Sequence, residues 1–497
     1  MEDLKQSKML KILFIVFIVV SAIHILYASF TFRGLYSDGA FYIMKLLNFL
    51  DEGKITIVSD PGHPRLFSMA LIQIPVIVSY FLLFIKNKFI LMFIYSFFQF
   101  AIPVLSLYWS YSLAKRTDKI DIFFWNLFTY GGIILLFEIF SVTESIQTIS
   151  FSFILWNYLA AKMEYRKKDI LAILFLITMM FASYEYIAYI GIFFFLCHFH
   201  YVLQDNSVKN QAIKTLIGFG SLGASIYTIW FMLKQQGEGG EIIRYIAEGI
   251  NVIPQMLHLN SLITITAVVL LIAAAFKKAK FKNFEILSVV IILYVALRYL
   301  LSNLDASLVP MWETHFRVLP CVWIMFVFVI LHVKDIIRPK YVVTRWHNLI
   351  CVALLLAVFQ SFWQMTDTYY WNKNIEYMKK ELHAANSPIY IPSEHEEISS
   401  FTNKNLRRYI WHVFYAVTSV MFSDNYKQKT LLINYDNIHE DGNILFRNLL
   451  YVIPNQENKM SFPVGLNASI KNGFWDLSEC AIALDKYNKK HKIKTDM

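Results

Sequence analysis

Apolar runs of about 18 residues or more recur along the first three quarters of this chain. Hydrocarbon offers no water to a polar backbone, so each such run must satisfy its own N–H and C=O groups. Only α-helices or a closed barrel do that. Barrel strands would alternate in short segments, and these runs do not. The class is therefore an all-α polytopic membrane protein. Composition agrees: 57% of the residues are hydrophobic and 16% charged, against about 45–50% and about 25% in soluble domains.

The net charge of +10 is dispersed among the spans. It fits cytoplasmic Lys and Arg that orient a membrane chain, and no nucleic-acid partner is expected. Cys197, Cys321, Cys351 and Cys480 include no close C-x-x-C pair, so neither a disulfide framework nor a zinc site is expected. The run Met9–Phe30 is long for a signal peptide and has no small-residue cleavage site after it; it reads as an anchored first span.

Further spans are expected at Phe89–Leu113, Ile120–Phe140, Ile146–Ala161, Ile170–Ala182, Tyr186–Val202 and Ala212–Leu233. They continue at Leu259–Phe276, Phe284–Leu301, Phe316–Leu331 and Asn348–Met365. The run Leu66–Ile85 decides the topology. If it crossed the membrane, the basic loops Ala114–Lys119, Ala160–Asp169 and Lys277–Lys282 would fall outside, against the positive-inside rule. If it lies along the surface or re-enters, every basic loop becomes cytoplasmic. It also carries Gln73 and Pro75. The expectation is about eleven spans, with the N-terminus inside and the C-terminal region outside.

Residues 1–365 then form a transmembrane domain whose first outer loop, 31–88, carries two interfacial helices. From Thr366 the composition becomes ordinary. "KTLLINYDN" and "NLLYVIP" read as short strands, so 366–497 is expected to be a small α+β extracytoplasmic domain.

Ionisable residues near a membrane are costly, roughly 2.5–3.5 kcal/mol at mid-span, and should face a cavity or a partner. Several fall at the outer ends. Asp38 follows Ser37 at the start of an amphipathic stretch with apolar residues at Ala40, Ile43, Met44, Leu47 and Leu50. That spacing suits an interfacial helix, with Ser37 or Asp38 as its cap. His63 and Arg65 open the re-entrant helix, where headgroup contact is the plain alternative. Glu144 and Glu185 sit at outer turns, Glu185 between Tyr184 and Tyr186; both suit helix caps as well as chemistry. Arg298, His315 and Arg317 suit an anionic headgroup, or pair with Glu138, Glu144 or Glu185. "CHFH" (Cys197–His200) lies at a cytoplasmic span end and favours packing over zinc.

This layout resembles the GT-C superfamily of membrane glycosyltransferases. Asp38 in "YSDGAFY" matches the acid of the first outer loop, the helices Ser37–Asp51 and Pro64–Ile85 match the surface pair, and Glu144 in "SVTES" matches the second acid. The resemblance implies sugar transfer from a polyprenyl-phosphate donor to a saccharide, lipid or protein acceptor on the outer face of a bacterial inner membrane. Asp38 would be the general base. Arg298, Arg317, His315, Arg65 and His63 would hold the phosphate, Glu144 and Glu185 would orient hydroxyls, and Tyr36, Tyr42, Tyr184 and Trp312 would stack on the sugar. No cofactor is implied. The superfamily's paired first-loop acids are absent, since Asp38 is flanked by Ser37 and Gly39, so the sequence supports no metal. The alternatives from other classes are a transporter or flippase of lipid-linked saccharide and a non-catalytic envelope-assembly protein.

Overall fold

A computed structural model describes residues 8–36, 38–59, 64–135, 144–234, 313–337, 346–390, 414–423, 429–431, 471 and 473–490. The described chain is almost wholly helical. In order come α1 (Lys8–Phe30), α2 (Asp38–Asp51), α3 (Leu66–Phe81), α4 (Lys88–Thr117), α5 (Ile120–Thr129, continuing as a π turn Tyr130–Ile134) and α6 (Glu144–Ala160). Then follow α7 (Lys167–Met180), α8 (Ile187–Leu203), α9 (Val208–Lys234), α10 (Glu313–Ile337) and α11 (Trp346–Ala384). Each expected span overlaps one of these helices except Leu259–Phe276 and Phe284–Leu301, which lie outside the described residues, as does the end of Ile120–Phe140 from residue 136. Four segments among the described residues are long and apolar enough to cross a bilayer: Leu10–Phe30, Lys88–Thr117, Val208–Lys234 and Leu349–Ala384.

Side-chain contacts give the directions. Phe30 packs on Phe93, His24 on Phe100 and Phe14 on Tyr111, at 4.9, 5.8 and 4.9 Å between ring centroids. One index falls as the other rises, so α1 and α4 are antiparallel. Trp109 and Phe151 both pack on Phe175, and the Thr117 hydroxyl donates to Asn157 Oδ1 at 2.9 Å. These contacts run α6 parallel to α4. Between α8 and α9 a Cβ on Gly191 would stand 2.2 Å from the Ser221 carbonyl oxygen; glycine there allows the two backbones to touch.

Among the described residues the basic loops gather at one end; Lys277–Lys282 lies outside them. Arg116 pairs with Asp169 at 2.5 Å, Lys119 with Asp335 at 2.9 Å and Lys214 with Asp205 at 2.9 Å. Tyr201 Oη donates to Asp335 at 3.1 Å, and Lys209 Nζ donates to the Tyr165 carbonyl at 3.0 Å. The grouping of these loops on one side, inferred from charge, is thus matched by contacts that tie them to one another.

Local chemistry sets several helix ends. Asn87 caps α4 by accepting from the N–H groups of Phe89 and Ile90 at 2.9 and 3.3 Å. Lys115 and Arg116 lie in its last turn, where the helix dipole favours cations, and Asp118 ends it in the left-handed region at φ 58°. Pro75 sits inside α3, and its carbonyl accepts from Ser79 Oγ at 2.7 Å.

The two first-loop helices form, but α2 does not turn its apolar face to lipid. Ala40, Ile43, Met44, Leu47 and Leu50 are buried, and so are Tyr42, Leu46 and Asn48 on the other faces. The cover is protein: α2 shares a core with α3, the end of α11, α12 (Phe414–Phe422) and Trp475–Leu484. Amphipathic spacing requires an apolar cover and does not say whether lipid or protein supplies it. α3 does keep an open apolar face at Leu66, Ile74 and Val78. Its 16 residues reach about 24 Å, short of the ~30 Å hydrocarbon layer.

Past the expected span end at Met365, α11 runs unbroken to Ala384, so the change in composition at Thr366 falls inside a helix. Its 39 residues make about 58 Å, longer than a bilayer with its headgroups. Beyond it the described residues hold α12, two parallel two-residue strands, β1 (Ile389–Tyr390) and β2 (Thr430–Leu431), and α13 (Ser478–Lys490). β2 falls within the expected strand "KTLLINYDN"; "NLLYVIP" lies outside the described residues.

Candidate active site

The chain leaves α1 through Phe32, left-handed at φ 53°, into a 3₁₀ turn Arg33–Leu35. Gly39 N–H donates to the Tyr36 carbonyl at 3.2 Å. A Cβ on Gly39 would stand 1.9 Å from the Gly34 carbonyl oxygen, and one on Gly34 would stand 2.6 Å from Gln99 Oε1. Two glycines therefore clamp the start of α2 against its own entry turn and against α4. This contact sets where Asp38, the first residue of α2, leaves the backbone. A carboxylate-bearing residue in a first turn is favoured by the helix dipole.

Arg33 lies in this turn and was not singled out from the sequence. Its side chain is buried, with the guanidinium 4.8 Å from the Tyr36 ring centroid and 5.5 Å from that of Trp371. Trp371 Nε1 donates to the Thr31 carbonyl at 2.9 Å. An arginine in the apolar string "TFRGLY" is the only local sign of it; its aromatic partner Trp371 comes from far along the chain.

The second half of the site is where α3 begins. Phe67 N–H donates to the Ala182 carbonyl, and Ser68 Oγ to that of Ser183, both at 3.0 Å. Ala182 is itself left-handed, at φ 49°. Arg65 Nη2 donates to Glu185 Oε1 at 3.0 Å, and the guanidinium lies 4.9 Å from the Tyr184 ring centroid. The Arg65 side chain is 4% exposed and that of Glu185 26%, so the pair is sunk on the cationic side and open on the acidic side. Gln73 Nε2 donates to the Val58 carbonyl and Gln73 Oε1 accepts from Val58 N–H, both at 2.7 Å. This fastens the segment before α3 to α3 itself.

The expected site residues therefore divide. Arg65, Tyr184 and Glu185 are brought together. Asp38 and Glu144 each begin a helix, α2 and α6, and His315 and Arg317 lie in the first turns of α10; the side chains of these four are outside the described set. His63, Arg298 and Trp312 lie outside the described residues. Tyr42 is sealed in the core, and Tyr36 is packed edge-on against Trp371. Among the described residues, no group of three His, Cys, Asp or Glu is placed to hold a metal ion. Arg65 is thus a buried guanidinium paired with a partly open carboxylate and set over the Tyr184 ring. Comparison with family models, curated proteins and solved structures finds no match for this chain.

Proposed function

We propose that this is an integral-membrane glycosyltransferase of GT-C type, with about eleven spans. It moves a sugar from a polyprenyl-phosphate donor to an acceptor on the extracytoplasmic face. One observation carries the reading: the first-loop helix α3 docks through Arg65 onto Glu185, at the end opposite the ion-paired basic loops. The positive-inside rule makes that end extracytoplasmic. Asp38 starts α2 in the same loop and acts as general base on the acceptor. Glu144 assists, and the cationic residues hold the leaving phosphate.

The test is Asp38→Asn, assayed for transfer from a radiolabelled polyprenyl-phosphate sugar. Asn keeps the size of Asp and loses only its interaction with the helix dipole, about 0.3–1 kcal/mol, so the thermal midpoint shifts little. The rate falls by about 10²–10⁴, the usual worth of a general base. Transfer at the parental rate refutes the assignment. A transporter reading draws on the buried polar residues Ser106, Ser110, Gln147, Ser150 and Asn157 along α4 and α6. It predicts substrate movement across sealed liposomes that is indifferent to Asp38→Asn.

A further inference from the structure

The elbow between α3 and α4 combines backbone strain with apolar exposure. Leu82 N–H and Leu83 N–H both donate to the Val78 carbonyl, at 2.8 and 3.3 Å, and Ile85 N–H reaches back to the Ser79 carbonyl at 3.0 Å. Phe84, between them, is left-handed at φ 54°. The bond from Ile85 back to Ser79 closes the turn around this left-handed position, where glycine is the usual residue because a Cβ is strained there. Here the position holds a phenylalanine. The turn throws its ring outward: Leu82, Leu83 and Phe84 are 69%, 64% and 76% exposed.

Three consecutive large apolar side chains in water, one of them in a strained conformation, would be doubly unfavourable. In acyl chains the exposure becomes favourable and only the strain remains. The patch continues the open face of α3 at Leu66, Ile74 and Val78.

Charge and depth point the same way. From Leu66 to Lys88 the sequence has no acidic residue, and its only cations, Lys86 and Lys88, follow the elbow directly. Lys86 is exposed, with its ammonium 3.1 Å from the Tyr80 ring centroid. Among the described residues it has no carboxylate partner. The 30 residues of α4 span about 45 Å, the thickness of a bilayer with its headgroups. The start of α4, immediately after Lys86, therefore stands at headgroup level.

We propose that the elbow Leu82–Lys86 is a lipid anchor. Leu82, Leu83 and Phe84 insert among the acyl chains, and Lys86 engages the phosphate of an anionic headgroup. The occupant is bilayer lipid, and the anchor would hold α3, and Arg65 at its other end, at a fixed depth.

The full chain is tested in nanodiscs. Phe84→Cys carries a bimane label, with the unsubstituted chain as blank and Leu83→Cys as a second site should the first fail to fold. Acyl-brominated lipid is expected to quench the label at least twofold, and aqueous iodide to leave it nearly untouched. Quenching by iodide and not by brominated lipid overturns the proposal, because the elbow then faces water. Protection from both overturns it too, because protein, such as a second copy, then covers the elbow. For the headgroup, replacing phosphatidylcholine with phosphatidylglycerol is expected to raise the thermal midpoint, and Lys86→Glu to remove at least half of that rise. An undiminished rise in Lys86→Glu, or an equal rise from free phosphate in phosphatidylcholine discs, rejects the lipid headgroup.

Discussion

Arg65 and Glu185, 120 residues apart in the chain, meet at 3.0 Å with the guanidinium buried over Tyr184. Their contact joins the start of the first-loop helix α3 to the turn between α7 and α8. Removing one partner of a buried pair strands a charge and costs about 3–5 kcal/mol, with the low end expected here because Glu185 is partly open. Arg65→Ala and Glu185→Ala should each lower the thermal midpoint in detergent. The double variant should cost less than their sum, by a coupling of about 1–2 kcal/mol. Strict additivity would show that the pair contributes nothing as a pair.

Gly39→Ala tests the clamp at the start of α2. The added carbon would stand 1.9 Å from the Gly34 carbonyl oxygen, which backbone movement alone can relieve. A loss of about 1–3 kcal/mol is expected, together with a disproportionate loss of transfer activity, because Asp38 precedes the displaced residue. Gly53→Ala is the control. It is left-handed at φ 72° with open space around it, so it should cost no more than about 1 kcal/mol and leave activity intact.

Acid should loosen the basic end through Asp205, which lies between α8 and α9. Burial pushes its carboxyl up, but hydrogen bonds from Lys214, Asn210 and the Ser207 N–H outweigh this and hold it below the usual carboxylate value. A depressed native value means that the unfolded chain takes up protons first. The stabilisation is therefore complete above the unfolded value of about 3.9 and is lost as pH falls through the native one. The thermal midpoint should drop as pH falls below about 4. Asp205→Asn should flatten that slope while costing about 3 kcal/mol at neutral pH, since it strands buried Lys214.

Cys480 ties α13 to the segment after α11 by donating its thiol to the Pro388 carbonyl at 3.2 Å. Burial pushes that thiol up to about 12, so at neutral pH it carries almost no thiolate. Cys197 and Cys351 are also buried and free. None of the three should react with maleimide in the folded protein, and all should react after denaturation. Labelling of native Cys480 would place it at the surface.

Much of the transmembrane part was legible because hydropathy, helix caps and loop charge are local properties. The runs and the grouping of the basic loops follow from residues near one another in the chain. The site was legible only in pieces. Arg65, Tyr184 and Glu185 were each marked as unusual, but nothing local pairs Arg65 with Glu185. Nothing local brings Trp371 to Arg33, since that indole is 340 positions beyond Thr31, whose carbonyl it holds.

The sequence by itself determined that this chain is built of apolar helices, since a backbone in hydrocarbon must satisfy itself and these runs lack the alternation of barrel strands. Only the tertiary structure decided that α2 is covered by α12 and the C-terminal segment rather than by lipid. It alone decided that Phe84 turns outward and that Arg65 closes onto Glu185. Each of these depends on which distant surface arrives to bury a face or neutralise a charge, and periodicity along the chain carries no record of that arrival.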